Sequence, residues 1–366
     1  MMKRQTTLSS VLIITTILLT VIGIVMVFSA SYIWANFKYD NPYHYFFRQL
    51  IFGSIGIIGM FVTSKFPYQL YKQHATKIFF FVLGLLIIVL IPGIGIVRGG
   101  ARSWIGIGSF SIQPSEFMKI ACIILLSKYL SDNYVDMEKP LYILLLLGVV
   151  IVVFGLIMLQ PDFGTGMIIV ATTVVMLFVA GVNLTYFIYL LIAGGAGITV
   201  LIISAPYRLR RIFAYLDPWS DPLGAGFQII QSLYAISPGG LFGVGLGNSI
   251  QKHFYLPEPQ TDFIFAILVE ELGFIGGAFV LFLYTIFFLS SLKISLKAKD
   301  NFGRFLALGI TISIFLQFFI NIGVVIGLLP VTGVTLPFLS YGGSSLTVTL
   351  VGVGIILNIS KHQKPY

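Results

Sequence analysis

Tyr255-Leu-Pro-Glu-Pro-Gln-Thr-Asp262-Phe-Ile-Phe-Ala-Ile-Leu-Val-Glu270-Glu271-Leu-Gly273 is the point where one long polar segment turns into an apolar helix. An ionisable group at the start of a membrane helix is costly unless it pairs, meets water or does chemistry. Asp262 stands at that point, and Glu270 and Glu271 follow about two turns deeper. A capping role for Asp262 fits the same position, because Asp is favoured at helix starts.

Outward from this stretch the chain is almost continuously apolar. Its 366 residues are 57% hydrophobic and 10% charged, which excludes a soluble globular domain. Runs long enough to cross a bilayer recur near 8–32, 48–63, 76–97, 114–130, 141–159, 164–182, 184–204, 263–292, 302–328 and 343–359. The pattern predicts an all-α polytopic membrane protein of about ten transmembrane helices, forming one domain over 1–366. One large extracellular loop, about 205–261, joins helices seven and eight. The first run is too long for a signal-peptide core and reads as an uncleaved anchor.

An even number of spans puts both termini on one side. With both in the cytoplasm, thirteen of the 22 Lys and Arg fall inside, eight fall outside, and Lys119 lies within a helix. That excess fits the positive-inside rule. The net charge of +9 therefore reflects contact with membrane lipids, and nothing suggests a nucleic-acid face. Cys122 stands alone mid-helix and reads as packing, and the four histidines have no zinc spacing. The external cations that need a reason are Arg208, Arg210 and Arg211. Near a membrane surface they can meet lipid phosphates, and a guanidinium also matches pyrophosphate oxygens bidentately.

The other polar motifs gather at the same side. Arg98-Gly-Gly-Ala-Arg102-Ser-Trp104 leads into Gln113-Pro-Ser-Glu116-Phe-Met-Lys119, where Pro suits a first helical turn. Glu116 and Lys119 share a helix face at i,i+3, either as an internal ion pair or as the wall of a polar cavity. Gln160-Pro-Asp162-Phe-Gly-Thr165 places Asp162 to cap helix six or to face that cavity. The glycines of 239–247 form neither a Walker loop nor a dinucleotide fingerprint, and a tight bend in a re-entrant segment suits them better. Leu336-Pro-Phe-Leu-Ser340-Tyr341-Gly-Gly-Ser344-Ser345 carries no charge, and its hydroxyls fit irregular backbone at a wet cavity.

Five of these segments, in order and at matching spacing, resemble the SEDS family (shape, elongation, division and sporulation proteins). They are Gln113–Glu116, Gln160–Thr165, Leu256–Phe265, Glu270–Gly273 and Leu336–Ser345. Arg102–Gly106 and Ser204–Arg211 place the chain nearest the SpoVE and FtsW branch. The resemblance implies a ten-helix peptidoglycan glycosyltransferase that polymerises lipid II at the outer membrane face beside a class B penicillin-binding protein, in division or sporulation. The family's essential acid falls on Asp262.

Residue chemistry agrees with that expectation. An attacking sugar hydroxyl needs a base, and a departing lipid pyrophosphate needs no strong acid. Asp262 is the expected base. Lys119, Arg208, Arg210 and Arg102 are candidate contacts to the substrate's phosphates. Glu116, Asp162, Glu270, Ser340 and Ser344 are candidates to line the cavity. No cofactor is certain, and a divalent cation, magnesium or manganese, is a candidate to share the pyrophosphate charge. The rival classes are a lipid II flippase or other transporter, and a non-catalytic scaffold for the penicillin-binding protein.

Overall fold

Apolar runs bounded by glycine, proline or charge fold here into helices that pack side by side, joined by polar segments at two opposite ends of the bundle. The computed structural model describes residues 2–98, 100–107, 110–132, 140–203 and 206–363. Side chains at 2–6, 107, 110, 140 and at several positions between 190 and 211 lie outside that description. The helices are α1 (Met2–Tyr39), α2 (His44–Thr63), α3 (Gln69–Ile88), α4 (Pro114–Asp132), α5 (Pro140–Met158), α6 (Phe163–Val179), α7 (Leu184–Ile203), α8 (Pro206–Leu216), α9 (Phe227–Ile236), α10 (Ile264–Leu296), α11 (Asn301–Val325) and α12 (Gly343–Ser360).

The ten runs read from the sequence overlap α1–α7 and α10–α12. Among the described residues seven helices are long and apolar enough to cross a membrane: α1, α2, α3, α5, α10, α11 and α12. The chain is a membrane protein. Helix α6 is shorter at 17 residues, and α4 carries Glu116, Lys119, Lys128 and Asp132. The segment 206–263 is not featureless, since α8 and α9 lie within it.

One departure concerns the third run. Helix α3 ends at Ile88, and the residues beyond form a three-stranded antiparallel sheet: β1 (Ile96–Arg98), β2 (Ala101–Ile107) and β3 (Phe110–Ile112). Ile96 pairs with Trp104, and Ile105 with Ile112. β-Branched and aromatic residues between glycines favour that pleated surface over a continued helix.

Helices α2 and α12 meet through glycines. A Cβ on Gly56 would lie 3.2 Å from the Cα of Thr347, and one on Gly354 would collide with the carbonyl of Met60. Small residues let membrane helices approach closely enough for dispersion to hold them. At the end of the bundle opposite Asp262, Tyr68 donates its main-chain N–H to Asn358 Oδ1 (3.0 Å) and its hydroxyl to Asp300 Oδ2 (2.6 Å). Asp300 also caps α11 by accepting from Gly303 N. These bonds tie the α2–α3 and α10–α11 turns to α12.

Candidate active site

Helix α10 begins at Ile264 with Phe263 in the cap position and no side-chain cap bond. Asp262 therefore sits one residue before the cap position. Its main chain is gripped from two directions. Asn321 on α11 donates through Nδ2 to the carbonyl of Asp262 and to that of Val334, each at 2.7 Å. Ser340 Oγ donates to the carbonyl of Thr261 (2.6 Å) and accepts from Leu336 N (2.8 Å). Gln49 Nε2 donates to the carbonyl of Ser340 at 3.0 Å. The segment between α11 and α12 is thus stapled to the residues before α10, with the Asp262 side chain left half-buried.

That segment runs onward to the second cluster. A Cβ on Gly333 would lie 3.8 Å from Asp262 Oδ2, and one on Gly164 would lie 3.0 Å from the carbonyl of Thr332. Residues 332–334 therefore pass between Asp262 and the start of α6. Asp162 caps α6 there by accepting from Thr165 N at 3.2 Å. It also accepts from Gln113 Nε2 (2.9 Å) and Ser115 Oγ (3.1 Å). Burial pushes its carboxyl above the ordinary carboxylate range, with the Glu116 charge adding to the shift, although the bonds from Thr165 and Ser115 pull the other way. Ser344 Oγ accepts from Gln113 N at 3.0 Å, so the serine belongs to the frame of this corner.

Glu116 and Lys119 form the internal ion pair, 2.8 Å apart and almost fully buried. Lys119 Nζ also donates to Gln317 Oε1 at 2.7 Å. The amide nitrogen of Gln317 then reaches Thr335 O (3.0 Å), Thr335 Oγ1 (3.2 Å) and Ser345 Oγ (3.2 Å). One polar chain thus connects α4, α11, the 330–342 segment and α12. Unsatisfied polar groups are costly inside a membrane protein, so such a chain fixes its members' positions.

Glu270 and Glu271 are completely buried and serve a different segment. Helix α10 breaks at Gly273, whose φ of 70° is a left-handed conformation suited to glycine. The carbonyls of Glu270 and Glu271 accept instead from Val244 N and Gly245 N, each at 3.0 Å. Glu270 takes Ser249 Oγ (2.6 Å) and Ile250 N (2.8 Å). Glu271 takes Lys252 Nζ (2.8 Å) and, from α1, Ser29 Oγ (2.6 Å). The glycine-rich stretch is a bend docked into the α10 break, as its composition suggested.

The cations separate by place. Arg102 on β2 directs Nη1 to the carbonyl of Leu90 at 3.4 Å, just past the end of α3. Arg210 on α8 is exposed, and the side chain of Arg208 lies outside the described residues. Helix α8 is fastened near the site, since Tyr215 donates its hydroxyl to Leu328 O at 2.9 Å. An apolar groove of about 640 Å³ opens beside the sheet, lined by Phe52, Ile94, Ile105 and Ile112. Among the described residues no three His, Cys, Asp or Glu side chains converge as a metal site. Magnesium held by one or two carboxylates and the substrate's own phosphates needs no such cluster, and no step below passes through a metal.

The structure brings Asp262, Asp162, Glu116, Lys119, Ser340 and Ser344 into one connected region. Glu270 belongs to the neighbouring loop dock. Asn321, Gln317 and Gln49 were given no role from the sequence, because an uncharged amide in an apolar helix raises no charge signal. Their isolation in such a helix is itself a signal, since a buried amide needs partners.

The model of the cell cycle protein family of FtsW, RodA and SpoVE matches residues 9–365. Stage V sporulation protein E of Bacillus subtilis is 52% identical, with all of both chains covered. The probable peptidoglycan glycosyltransferase FtsW of Trichlorobacter lovleyi is 44% identical over 97% of this chain and 93% of that one. The fold matches a chain from a peptidoglycan synthase complex that coordinates polymerization and crosslinking, at TM-score 0.79 and 28% identity over 96% of each chain. It also matches the rod shape determining protein RodA of Thermus thermophilus, at TM-score 0.69 and 25% identity over 97% of each chain. The chain belongs to the FtsW/RodA/SpoVE family of cell cycle proteins, the SEDS family its motifs resemble.

Proposed function

We propose that this protein is a peptidoglycan glycosyltransferase that polymerises lipid II at the outer face of the bacterial cytoplasmic membrane. The observation that carries the reading is the backbone clamp on Asp262: two elements hold its main chain while its side chain stays half-buried beside the cavity segment. The name of its FtsW relative supports the same activity.

Asp262 takes the proton from the acceptor's sugar hydroxyl as that oxygen attacks the donor's anomeric carbon. The new carbon–oxygen bond forms as the bond to the pyrophosphate breaks, and the electron pair departs with the lipid pyrophosphate. Arg210 and Arg208 on α8 are the candidate cations for that leaving group. Glu116, Lys119 and Asp162 hold the cavity frame. The apolar groove beside Phe52 suits the hydrocarbon chain of a lipid-linked substrate.

A class B penicillin-binding protein is the partner in this reading, and the site of action is the septal or forespore membrane with both termini cytoplasmic. The test is polymerisation of labelled lipid II by the purified complex with the partner's transpeptidase blocked. Long glycan products support the reading. Lipid II flipping with no polymer would replace it with transport.

A further inference from the structure

We propose that Tyr341 and the residues around it form a stacking subsite for the pyranose rings of the glycan strand beside Asp262; the proposal rests on the glycosyltransferase reading. Tyr341 N donates to Gln260 O at 2.8 Å, so the backbone carrying the ring is tied to a residue two positions before Asp262. The ring stands edge-on to Tyr45 at 4.9 Å and 80°. Tyr45, 7% exposed, is the hub of the group: its ring also stands edge-on to that of Tyr39, at 5.9 Å and 77°. Tyr39 is 41% exposed and forms the outer rim, stacked on His44 with the exposed Lys38 above it.

Three features select a saccharide. A pyranose ring presents a face of C–H groups, which the negative face of an aromatic ring attracts. Glu258 is exposed in a turn closed by Thr261, and its φ of 44° is a left-handed strain that the flanking prolines hold. A carboxylate there accepts hydroxyl or acetamido N–H donors. Two further acceptors at the same place, Gln260 Oε1 and Gln49 Oε1, are buried without a hydrogen-bond partner. Unpaired acceptors at this place suit a donor-rich ligand such as a sugar better than a hydrocarbon tail or a pyrophosphate. A plain aromatic belt at the membrane surface would need none of these acceptors.

The test measures binding and product length separately in the full chain with its partner. The probe is a soluble GlcNAc–MurNAc tetrasaccharide, titrated calorimetrically onto wild type, Tyr341→Ala, Tyr341→Phe, Glu258→Gln and Asp262→Asn. Loss of one ring contact weakens binding by about three- to tenfold. The expected result is that weakening in Tyr341→Ala and Glu258→Gln, with affinity kept in Tyr341→Phe and Asp262→Asn. Tyr341→Ala also yields shorter strands. Because Tyr341→Ala removes packing, Glu258→Gln at an exposed position is the second variant and weakens binding in the same direction. Unchanged tetrasaccharide affinity and strand length in all these variants would overturn the subsite, as would weakened membrane insertion alone. A wild type that binds the tetrasaccharide yet makes no polymer would sink the glycosyltransferase reading and leave the subsite standing.

Discussion

Asn321 donates one side-chain amide to two carbonyls, those of Asp262 and Val334, each at 2.7 Å. A single residue on α11 thereby sets the spacing between the proposed base and the segment that faces it. Asn321→Leu keeps the size and leaves both carbonyls without that donor. It should lower stability by about 1–3 kcal/mol. Polymerisation should fall further than stability explains, by about ten- to a hundredfold, because a misplaced reacting group costs that much. Initial rates and thermal unfolding in detergent check the pair, and a rate that falls only in step with stability contradicts the positioning role.

The pair Lys252–Glu271 is fully buried at 2.8 Å. Breaking it by Lys252→Met strands a buried carboxylate and should destabilise by about 3–5 kcal/mol. Adding Glu271→Leu should recover most of that loss, because the uncompensated charge is gone. Unfolding temperatures of the single and double variants decide it, and equal losses in both would contradict the account.

Gly273→Ala meets two obstacles. The φ of 70° disfavours a side chain, and a Cβ would lie 2.5 Å from the carbonyl of Leu241. Strain of about 1–3 kcal/mol plus that backbone clash should undock the 240–245 bend. Gly84→Ala in α3, where a Cβ meets nothing within 4 Å, is the control and should be neutral or slightly stabilising. Protease cleavage between 240 and 252 reports undocking, and it should rise only for Gly273→Ala.

Asp162 gives a pH signature. Burial raises its folded pKa above the unfolded value. Its contribution to stability is therefore complete below the ordinary carboxylate range and is lost as pH rises through the raised value. Relative to Asp162→Asn, wild type should gain unfolding temperature as pH falls toward the ordinary carboxylate pKa of about 4. Parallel curves for the two proteins would contradict this.

The sequence made the membrane class, the helix positions and the acids legible, because apolar runs and isolated charges are strong one-dimensional signals. Asp162 as a cap and Glu116–Lys119 as a pair were each one of two readings that spacing offered, and both contacts are present. The sheet at 96–112 was not legible, since a glycine-rich apolar stretch gives a weak two-residue period. Nor was the task of Glu270 and Glu271, whose partners Ser249, Lys252 and Ser29 lie on a distant loop and on α1. The grip of Asn321 on Asp262 spans 59 residues and involves a main-chain carbonyl, which leaves no trace in residue type.

The central claim is that Asp262 is the base. The direct measurement compares labelled lipid II polymerisation by wild type and Asp262→Asn, each purified with its penicillin-binding protein and matched for unfolding temperature. The account predicts long glycan strands from wild type and a loss of at least about a hundredfold in the variant, as removal of a general base entails. Equal strand production by the two proteins would contradict it.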